Sequence, residues 1–448
     1  KSMNIKLISP GSVMYRKEGG IFPRLLRYAP LTLSTLAGLI PKELNADISL
    51  NDEIAKKINY NDNPDLVAIS AITGTSNRAY AIADHYRKKG VPVVIGGVQA
   101  SLMPDEAMNH ADAIVTGMAF ESWPELLRDF SKGKMKREYS QSNDMNFEKL
   151  PMPRRDLLPN FSYISKSSIQ ATFGCPYKCD FCAVISTQKN YLRRPIDDVI
   201  KEISEMKGKF VTFIDPSPME DKKYIKQLFK EMIPLKKMWG GLATVKIIDD
   251  EELMDLAAAS GCKGLLIGFE TIDQEALNEV NKGFSRSNQY QEVCKELHDR
   301  GISINGTFIF GMDSHDKDIF QRTVDFVQEN AIELPRYAIY TPFPGTGAYR
   351  KLKKEERILT NNWSLYDVQH AVFQPKNMTP DELFEGNILA WEKTYSTKNI
   401  LSRISRAGTN IPLSLITNLG YRYYGKRLRR FTNDKMISLE DEWNKDLN

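Results

Sequence analysis

Between residues 167 and 341 a strand-like apolar run followed by an amphipathic stretch at helical spacing recurs six times. The strand candidates are Ser168–Phe173, Phe210–Ile214, Gly240–Thr244, Gly264–Phe269, Ser303–Phe310 and Arg336–Tyr340. Helical patterning falls between them, as in Asp249–Ser260 and Asn288–Arg300. Six such units are too many for a small open sheet to be the only choice, and they fit a partial (β/α)₆ barrel, with chemistry expected at the carboxyl ends of its strands.

Residues 4–130 alternate in the same way. Asn4–Ile8, Pro64–Ser70, Val91–Ile95 and Ala113–Val115 read as strands, and Leu31–Leu39, Asn77–Lys89 and Trp123–Phe130 as helices. This pattern implies a doubly wound, Rossmann-like sheet with ligands beyond its strand ends. At about 150 residues per domain, 448 residues give two or three domains. The division expected is 1–135 for the first domain, 136–165 for a polar, proline-bearing linker, 166–341 for the barrel and 342–448 for a mostly helical C-terminal region.

The first barrel strand runs into Gly174-Cys175-Pro176-Tyr177-Lys178-Cys179-Asp180-Phe181-Cys182. Cys175, Cys179 and Cys182 are spaced C-x-x-x-C-x-x-C, close enough for one loop to hold three irons of a [4Fe–4S] cluster. A fourth ligand would complete a structural cluster or zinc site, and neither His nor a further Cys stands near. The spacing therefore favours a cluster with one iron open to a small molecule. The remaining thiols, Cys262 and Cys294, sit in apolar stretches and read as packing residues. So low a cysteine count speaks against a disulfide scaffold and for a reducing compartment.

The cysteine run resembles the signature of the radical S-adenosylmethionine (SAM) enzymes. The resemblance implies that the open iron chelates SAM and that reduction splits SAM into methionine and a 5′-deoxyadenosyl radical. It places Phe181 against adenine, Asp215 and Glu270 at strand ends beside SAM, and Asn305 and Phe310 near adenosine. The first domain is similar to the cobalamin-binding domain of one large radical SAM class, on Pro64–Ser70, Val93–Gly97, Met103–Ala107 and Ala111–Gly117. That similarity makes Thr73, Thr75, Ser76, Gly96, Gly97, Gln99 and Gly117 the cobalamin candidates. The D-x-H-x-x-G motif that supplies a lower-face histidine is absent, Asp84 and His85 being adjacent, and Gln99 and Met118 stand where the class often has His and Glu.

Thr341–Thr346, Trp363–Asp367, His370 and Phe373–Pro375 resemble the subfamily that includes the hopanoid methylases, with Tyr366 and His370 as substrate candidates against the alternative of a packed aromatic cluster. The cofactors implied are the [4Fe–4S] cluster, SAM and cobalamin. The function implied is methyl transfer to an unactivated carbon, with a reductant such as flavodoxin or ferredoxin; that the substrate is a hydrophobic or lipid-like small molecule is an expectation from the C-terminal segment, residues 398–430. A radical SAM cyclase or rearrangement enzyme, and a non-enzymatic iron–sulfur sensor or scaffold, are the alternatives.

Residues 398–430 carry eight basic side chains and no acidic one among many aliphatic and tyrosine residues. This segment reads either as a helix packed on the barrel or as an amphipathic contact with an anionic membrane. No nucleic-acid recognition motif accompanies the charge. No run of 18 apolar residues suggests a spanning helix and no signal peptide opens the chain, so a cytoplasmic protein is expected, membrane-associated if this segment is the amphipathic contact.

Overall fold

The computed structural model describes residues 2–13, 27–141, 145, 147–159, 162–188 and 190–447. Six parallel strands form the first sheet: β1 (Met3–Ser9), β2 (Ala46–Asp52), β3 (Leu66–Ser70), β4 (Val93–Gly96), β5 (Ala113–Thr116) and β6 (Glu138–Ser140), in the order β2-β1-β3-β4-β5-β6. The four expected strands are the inner ones, whose mainly apolar runs, interrupted in β1 by buried Lys6, are buried on both faces, as a parallel sheet requires. The two edge strands carry polar residues and half-exposed side chains, which hides them from a periodicity search. One of them, β6, lies inside the stretch expected to be linker. Helices α1 (Leu31–Gly38), α2 (Ser76–Lys88), α3 (Val98–Leu102), α4 (Pro104–Asn109) and α5 (Ser122–Ser131) join these strands.

A second parallel sheet begins with β7 (Ser168–Ile169). The expected first barrel strand is cut in two. After Ile169 the chain turns, and β8 (Thr172–Phe173) leaves the sheet to pair antiparallel with β9 (Leu192–Arg193). Asp215 makes that turn. Its carboxylate accepts the backbone N–H groups of Ala171 (2.9 Å) and Thr172 and the Thr172 hydroxyl (2.8 Å). The sheet continues through β10 (Phe210–Phe213), β11 (Met238–Ala243), β12 (Cys262–Glu270), β13 (Ser303–Phe310) and β14 (Arg336–Ile339), in the order β14-β13-β12-β11-β10-β7. Between these strands lie α6 (Val184–Thr187), α7 (Ile196–Glu205), α8 (Lys222–Met232), α9 (Glu251–Ala259), α10 (Gln274–Glu279), α11 (Tyr290–Asp299) and α12 (Ile319–Glu329). This is the α/β architecture expected, a Rossmann-like sheet followed by a partial (β/α)₆ barrel.

After β14 come α13 (Gly347–Lys354), α14 (Pro380–Thr394), α15 (Thr397–Ala407), α16 (Ile411–Leu428) and α17 (Asn433–Asn444). Helix α14 starts from a complete capping box, Thr379 with Glu382, behind Pro380. Helix α17 returns to the first domain. Arg78 of α2 lies over the Trp443 ring at 4.4 Å, reaches Asn444 at 2.9 Å and pairs with buried Glu53 at 2.8 Å. Asn77 meets Asn362 (2.7 Å) and Ser364 (3.0 Å), and Trp363 donates to Glu106 at 2.8 Å. The C-terminal region thus ties the first sheet to the barrel.

Candidate active site

The loop between β8 and α6 carries Cys175, Cys179 and Cys182. It is anchored at both flanks. Asp180 N–H donates to Val280 O (3.1 Å), the Asp180 side chain accepts from Asn281 (2.8 Å), and Ala348 N–H donates to Asp180 O (2.9 Å). The Tyr177 ring stacks on Phe284 at 3.8 Å, and its hydroxyl donates to Glu220. Burial raises the pKa of all three thiols, that of Cys179 to about 12, while the cation of Lys282 opposes the rise at each of them. Three thiols on one loop, Cys179 buried and Cys175 and Cys182 partly so, require a positively charged partner before they ionise together, and iron bound to them would supply that charge. Among the described residues no group of three or more His, Cys, Asp or Glu converges on a single ion. Thiolates of a cubane reach three separate irons, so the donor set fits a cluster with one open iron.

Glu270 ends β12 at a register shift against β13, and its backbone is in the left-handed region (φ 61°). A bulge of this kind re-aims a side chain. Here it turns the carboxylate toward Lys282, with which it forms a nearly buried ion pair. Phe181 is half-buried, its ring 6.4 Å from that of Tyr340. On β13 the side chains alternate. Ile304, Phe308 and Phe310 are buried, Phe310 stacking on Tyr337 and meeting Phe320 of α12 at 4.8 Å. Asn305, with Thr307, lies on the opposite face, and its Oδ1 is buried with no hydrogen-bond partner among the described residues. The expected adenosine contact from Phe310 is therefore corrected: the strand's period of two sends it into the helix layer. Asp215 acts one step back from the cysteines, holding the β7–β8 turn; burial lifts its pKa to about 6.

At the carboxyl ends of β3, β4 and β5 lies a largely apolar cavity of about 240 Å³. The first domain contributes Leu36, Ser70, Gly96, Gly117, Phe120 and Trp123 to its wall, and the barrel contributes Gln170, Phe173, Gln188 and Arg194. Gly97 also lines it, with φ 92° and a Cβ position 2.8 Å from Ala71 O, so glycine is required there by the backbone itself. At Gly96 a Cβ would meet Val115 only at ordinary contact distance, and at Gly117 nothing lies within 4 Å. The space these glycines leave, and its apolar wall, fit part of a large organic cofactor such as cobalamin.

Four expected cobalamin contacts are not on this wall. Thr73 is buried, Thr75 bonds back to Ile72, and the Ser76 hydroxyl donates to Thr73 O at 2.8 Å, so the Thr75 and Ser76 hydroxyls serve their own turn. Gln99 is fully buried and directed at Tyr80 and Glu106. The substrate candidates are also corrected. His370 is completely buried between the Asp367 carboxylate (2.9 Å) and Phe431 O (2.6 Å), and the Tyr366 hydroxyl donates to Thr360 O (2.8 Å). Both belong to the packed aromatic cluster. Sequence reasoning missed Lys282, Ser70 and Gln188. Only Ser70, as a hydroxyl closing an apolar strand, gave any signal.

A family model for the radical SAM superfamily matches residues 169–327, and one for the B12 binding domain matches residues 30–127. The bacteriochlorophyllide d C-12(1)-methyltransferase of Chlorobaculum tepidum is 33% identical over 352 residues, 76% of each chain. The bacteriochlorophyllide d C-8(2)-methyltransferase of the same organism is 28% identical over 438 residues, 91% of this chain and 94% of that one. Among solved structures, the cobalamin-dependent radical SAM enzyme OxsB, with aqua-cobalamin and SAM bound, superposes with a TM-score of 0.69 at 12% identity, covering 100% of this chain and 84% of that one; this likeness concerns the fold. With a radical SAM barrel, a B12-binding domain and methyltransferase relatives along most of its length, the chain belongs to the cobalamin-dependent radical SAM methylases, enzymes whose cofactors are a [4Fe–4S] cluster, SAM and cobalamin.

Proposed function

We propose that this methylase acts on an unactivated carbon of a hydrophobic, tetrapyrrole-like small molecule. The similarity at 33% identity to a bacteriochlorophyllide methyltransferase carries this reading. When bound, the cluster and SAM supply the hydrogen-abstracting radical and the cobalamin supplies a methyl carrier; the protein positions them and excludes water. Cys175, Cys179 and Cys182 hold the cluster. Phe181, Glu270, Lys282 and the unpartnered Oδ1 of Asn305 form the SAM side of the site, and Asp215 fixes the turn that presents the cysteines. Ser70, Gly96 and Gly117 face the cobalamin. We keep as a working division the one drawn from sequence, with the first boundary moved beyond β6 to follow Ser140. A low-potential reductant such as flavodoxin or ferredoxin delivers the electrons.

A peripheral membrane contact through α15 and α16 belongs to the same reading. Its supporting observation is an exposed aliphatic ridge, Leu401, Ile411, Leu415, Ile416 and Leu419. No described helix is long and apolar enough to cross a membrane. The α15–α16 turn is fastened near the amino ends of the barrel strands, through Thr409 to Ser303 (2.8 Å) and Asn410 to Lys263 O (3.2 Å), whereas the cysteine loop lies near their carboxyl ends. The ridge therefore bears on location, and the substrate class rests on the relatives alone.

The test is anaerobic turnover of reconstituted protein with cobalamin, a low-potential reductant, SAM carrying a deuterated methyl group, and a bacteriochlorophyllide d as substrate. A product bearing the labelled methyl is expected. Release of 5′-deoxyadenosine with an altered but unmethylated product would replace methyl transfer by cyclisation or rearrangement.

A further inference from the structure

We infer that the cysteine loop and the cavity at the carboxyl ends of β3, β4 and β5 are loaded as one coupled unit, with Gln188 and Phe173 as the positioning residues between them. The inference rests on the reading that the cavity receives part of the cobalamin. Both limbs of the segment that carries the cysteines form the cavity's barrel-side wall. Phe173, the last residue of β8, lines it and is separated from Cys175 only by Gly174. Its ring stacks on Phe147 (4.7 Å) and meets Phe120 edge-on (5.4 Å), and Phe120 lines the cavity from the first domain. On the returning limb Gln188 lines the cavity and accepts the N–H of Gly174 at 2.8 Å.

The two limbs are in close contact at that point. Gly174 has φ 74°, and a Cβ there would collide with the carbonyl of Asn190. Arg194, one residue past β9, completes the wall, with its N–H on Ala171 O (2.9 Å) and its guanidinium on Gln170 O (3.0 Å). Any displacement of this wall therefore moves the start of the cysteine run.

The thermodynamic consequence is reciprocal. A ligand that fills the cavity holds Phe173 and Gln188 in place and lowers the ordering cost of the loop; a cluster that fixes the loop lowers the ordering cost of the wall. The effect is a binding coupling and needs no catalytic step.

Equilibrium dialysis of hydroxocobalamin against the full-length protein, with and without its reconstituted cluster, measures it directly. We expect binding to the cluster-loaded protein to be tighter by about fivefold, the low end of couplings between sites in one protein. In Gln188→Ala the ratio of the two dissociation constants should fall to near one, and Gln188→Glu, which keeps an accepting oxygen for Gly174, should restore it. Loss of the ratio in Phe173→Leu would support the same route. Equal cobalamin affinities with and without cluster would overturn the coupling while leaving the cobalamin reading intact. A ratio undiminished in Gln188→Ala would overturn the role of Gln188. Absence of cobalamin binding in both states would remove the cofactor reading beneath it.

Discussion

Lys282 donates its ammonium to the carboxylate of Glu270, and both side chains are almost withdrawn from solvent at the carboxyl end of β12. The same ammonium bears electrostatically on Cys175, Cys179 and Cys182. One cation thus serves a strand-end carboxylate and the cysteine loop together. Deleting either partner of a buried pair leaves an uncompensated charge, at a cost of about 3–5 kcal/mol.

As a cation that bears on all three cysteines, Lys282 would also attract a carboxylate-bearing ligand held at the cluster. A hydrogen bond to a charged group contributes about 1.5–3 kcal/mol, so Lys282→Met should weaken SAM binding by about 10- to 150-fold. Iron content should stay close to wild type, and Lys282→Arg should recover part of the loss. SAM dialysis beside an iron assay tests this. Unchanged SAM affinity in Lys282→Met would limit Lys282 to holding Glu270.

The cysteines divide into two groups. Changing Cys175, Cys179 or Cys182 to Ala should abolish bound iron and 5′-deoxyadenosine release. Cys262 and Cys294 are buried in the core, and burial raises the pKa of the Cys294 thiol to about 12. Their replacement by Ala should leave iron content unchanged and reduce thermal stability only modestly. Retained activity in Cys179→Ala would sink the cluster assignment.

Much of this was legible in the sequence because it is local. The cysteine spacing lies within eight residues, and the buried strands announce themselves as apolar runs. What the sequence did not disclose is non-local. Lys282 is a lone lysine more than a hundred residues from Cys175, and nothing in Asn281-Lys282-Gly283 marks it. Phe310 was misread because strand alternation fixes which side chains share a face but leaves open which face is inner. Asp215, expected beside SAM, lies two residues past β10 and is fully buried, its carboxylate holding backbone 43 and 44 residues away. The edge strands β2 and β6 lacked the apolar signal that burial imposes on their neighbours.

Two adjacent glycines should fail differently. Gly97→Ala places a methyl 2.8 Å from Ala71 O at φ 92°, so the first domain itself should be destabilised, by at least about 1 kcal/mol for an unfavourable backbone region. Gly96→Leu meets only ordinary contacts at its Cβ and then fills the cavity. That protein should fold with near-normal thermal stability and retain no cobalamin. Calorimetry and the visible spectrum of dialysed protein separate the two outcomes. Normal corrinoid retention by Gly96→Leu would place the cofactor elsewhere.

His370 supplies a pH test of its structural role. Burial pulls its pKa down, but the Asp367 carboxylate and Phe431 carbonyl outweigh burial and raise it above its ordinary value. A raised folded-state pKa means stability that is fully present below the unfolded value, about pH 6.5, and lost as pH rises through the folded value. The Tm difference between wild type and His370→Asn should therefore be largest in mild acid and shrink toward alkaline pH, with SAM cleavage retained under conditions where the variant is folded. Loss of SAM cleavage in a folded variant, without any pH-dependent Tm difference, would return His370 to the active site.

The ridge on α16 allows the membrane contact to be tested without dismantling the protein. Its exposed stripe is Ile411, Leu415, Ile416 and Leu419, whereas Ser414, Asn418, Gly425 and Leu428 are buried against the fold. Leu428 apart, the inward side chains are small or polar and the outward ones apolar, the reverse of the usual pattern of a surface helix. Much of the positive charge of this segment is already engaged. Arg403 bonds Thr394 O and Asn418, Arg422 bonds Tyr395 O, Arg406 reaches Gln328 O, Arg429 pairs with Glu385 and Glu392, and Arg427 lies 4.3 Å over the Tyr423 ring. Binding to vesicles should then depend chiefly on the aliphatic stripe and fall only modestly as salt rises, in contrast to a purely electrostatic contact. Cutting the chain after Ser396 would also remove the helix that holds Arg78, so substitution within the stripe is the sharper instrument. Burial of each such side chain contributes about 1.5–3 kcal/mol when complete, so Leu415→Asn, Ile416→Asn and Leu419→Asn together should reduce co-sedimentation with anionic vesicles at least about tenfold while SAM cleavage is unaffected. If the triple variant sediments like wild type, or if wild type ignores the vesicles, the ridge has another occupant and the membrane reading falls.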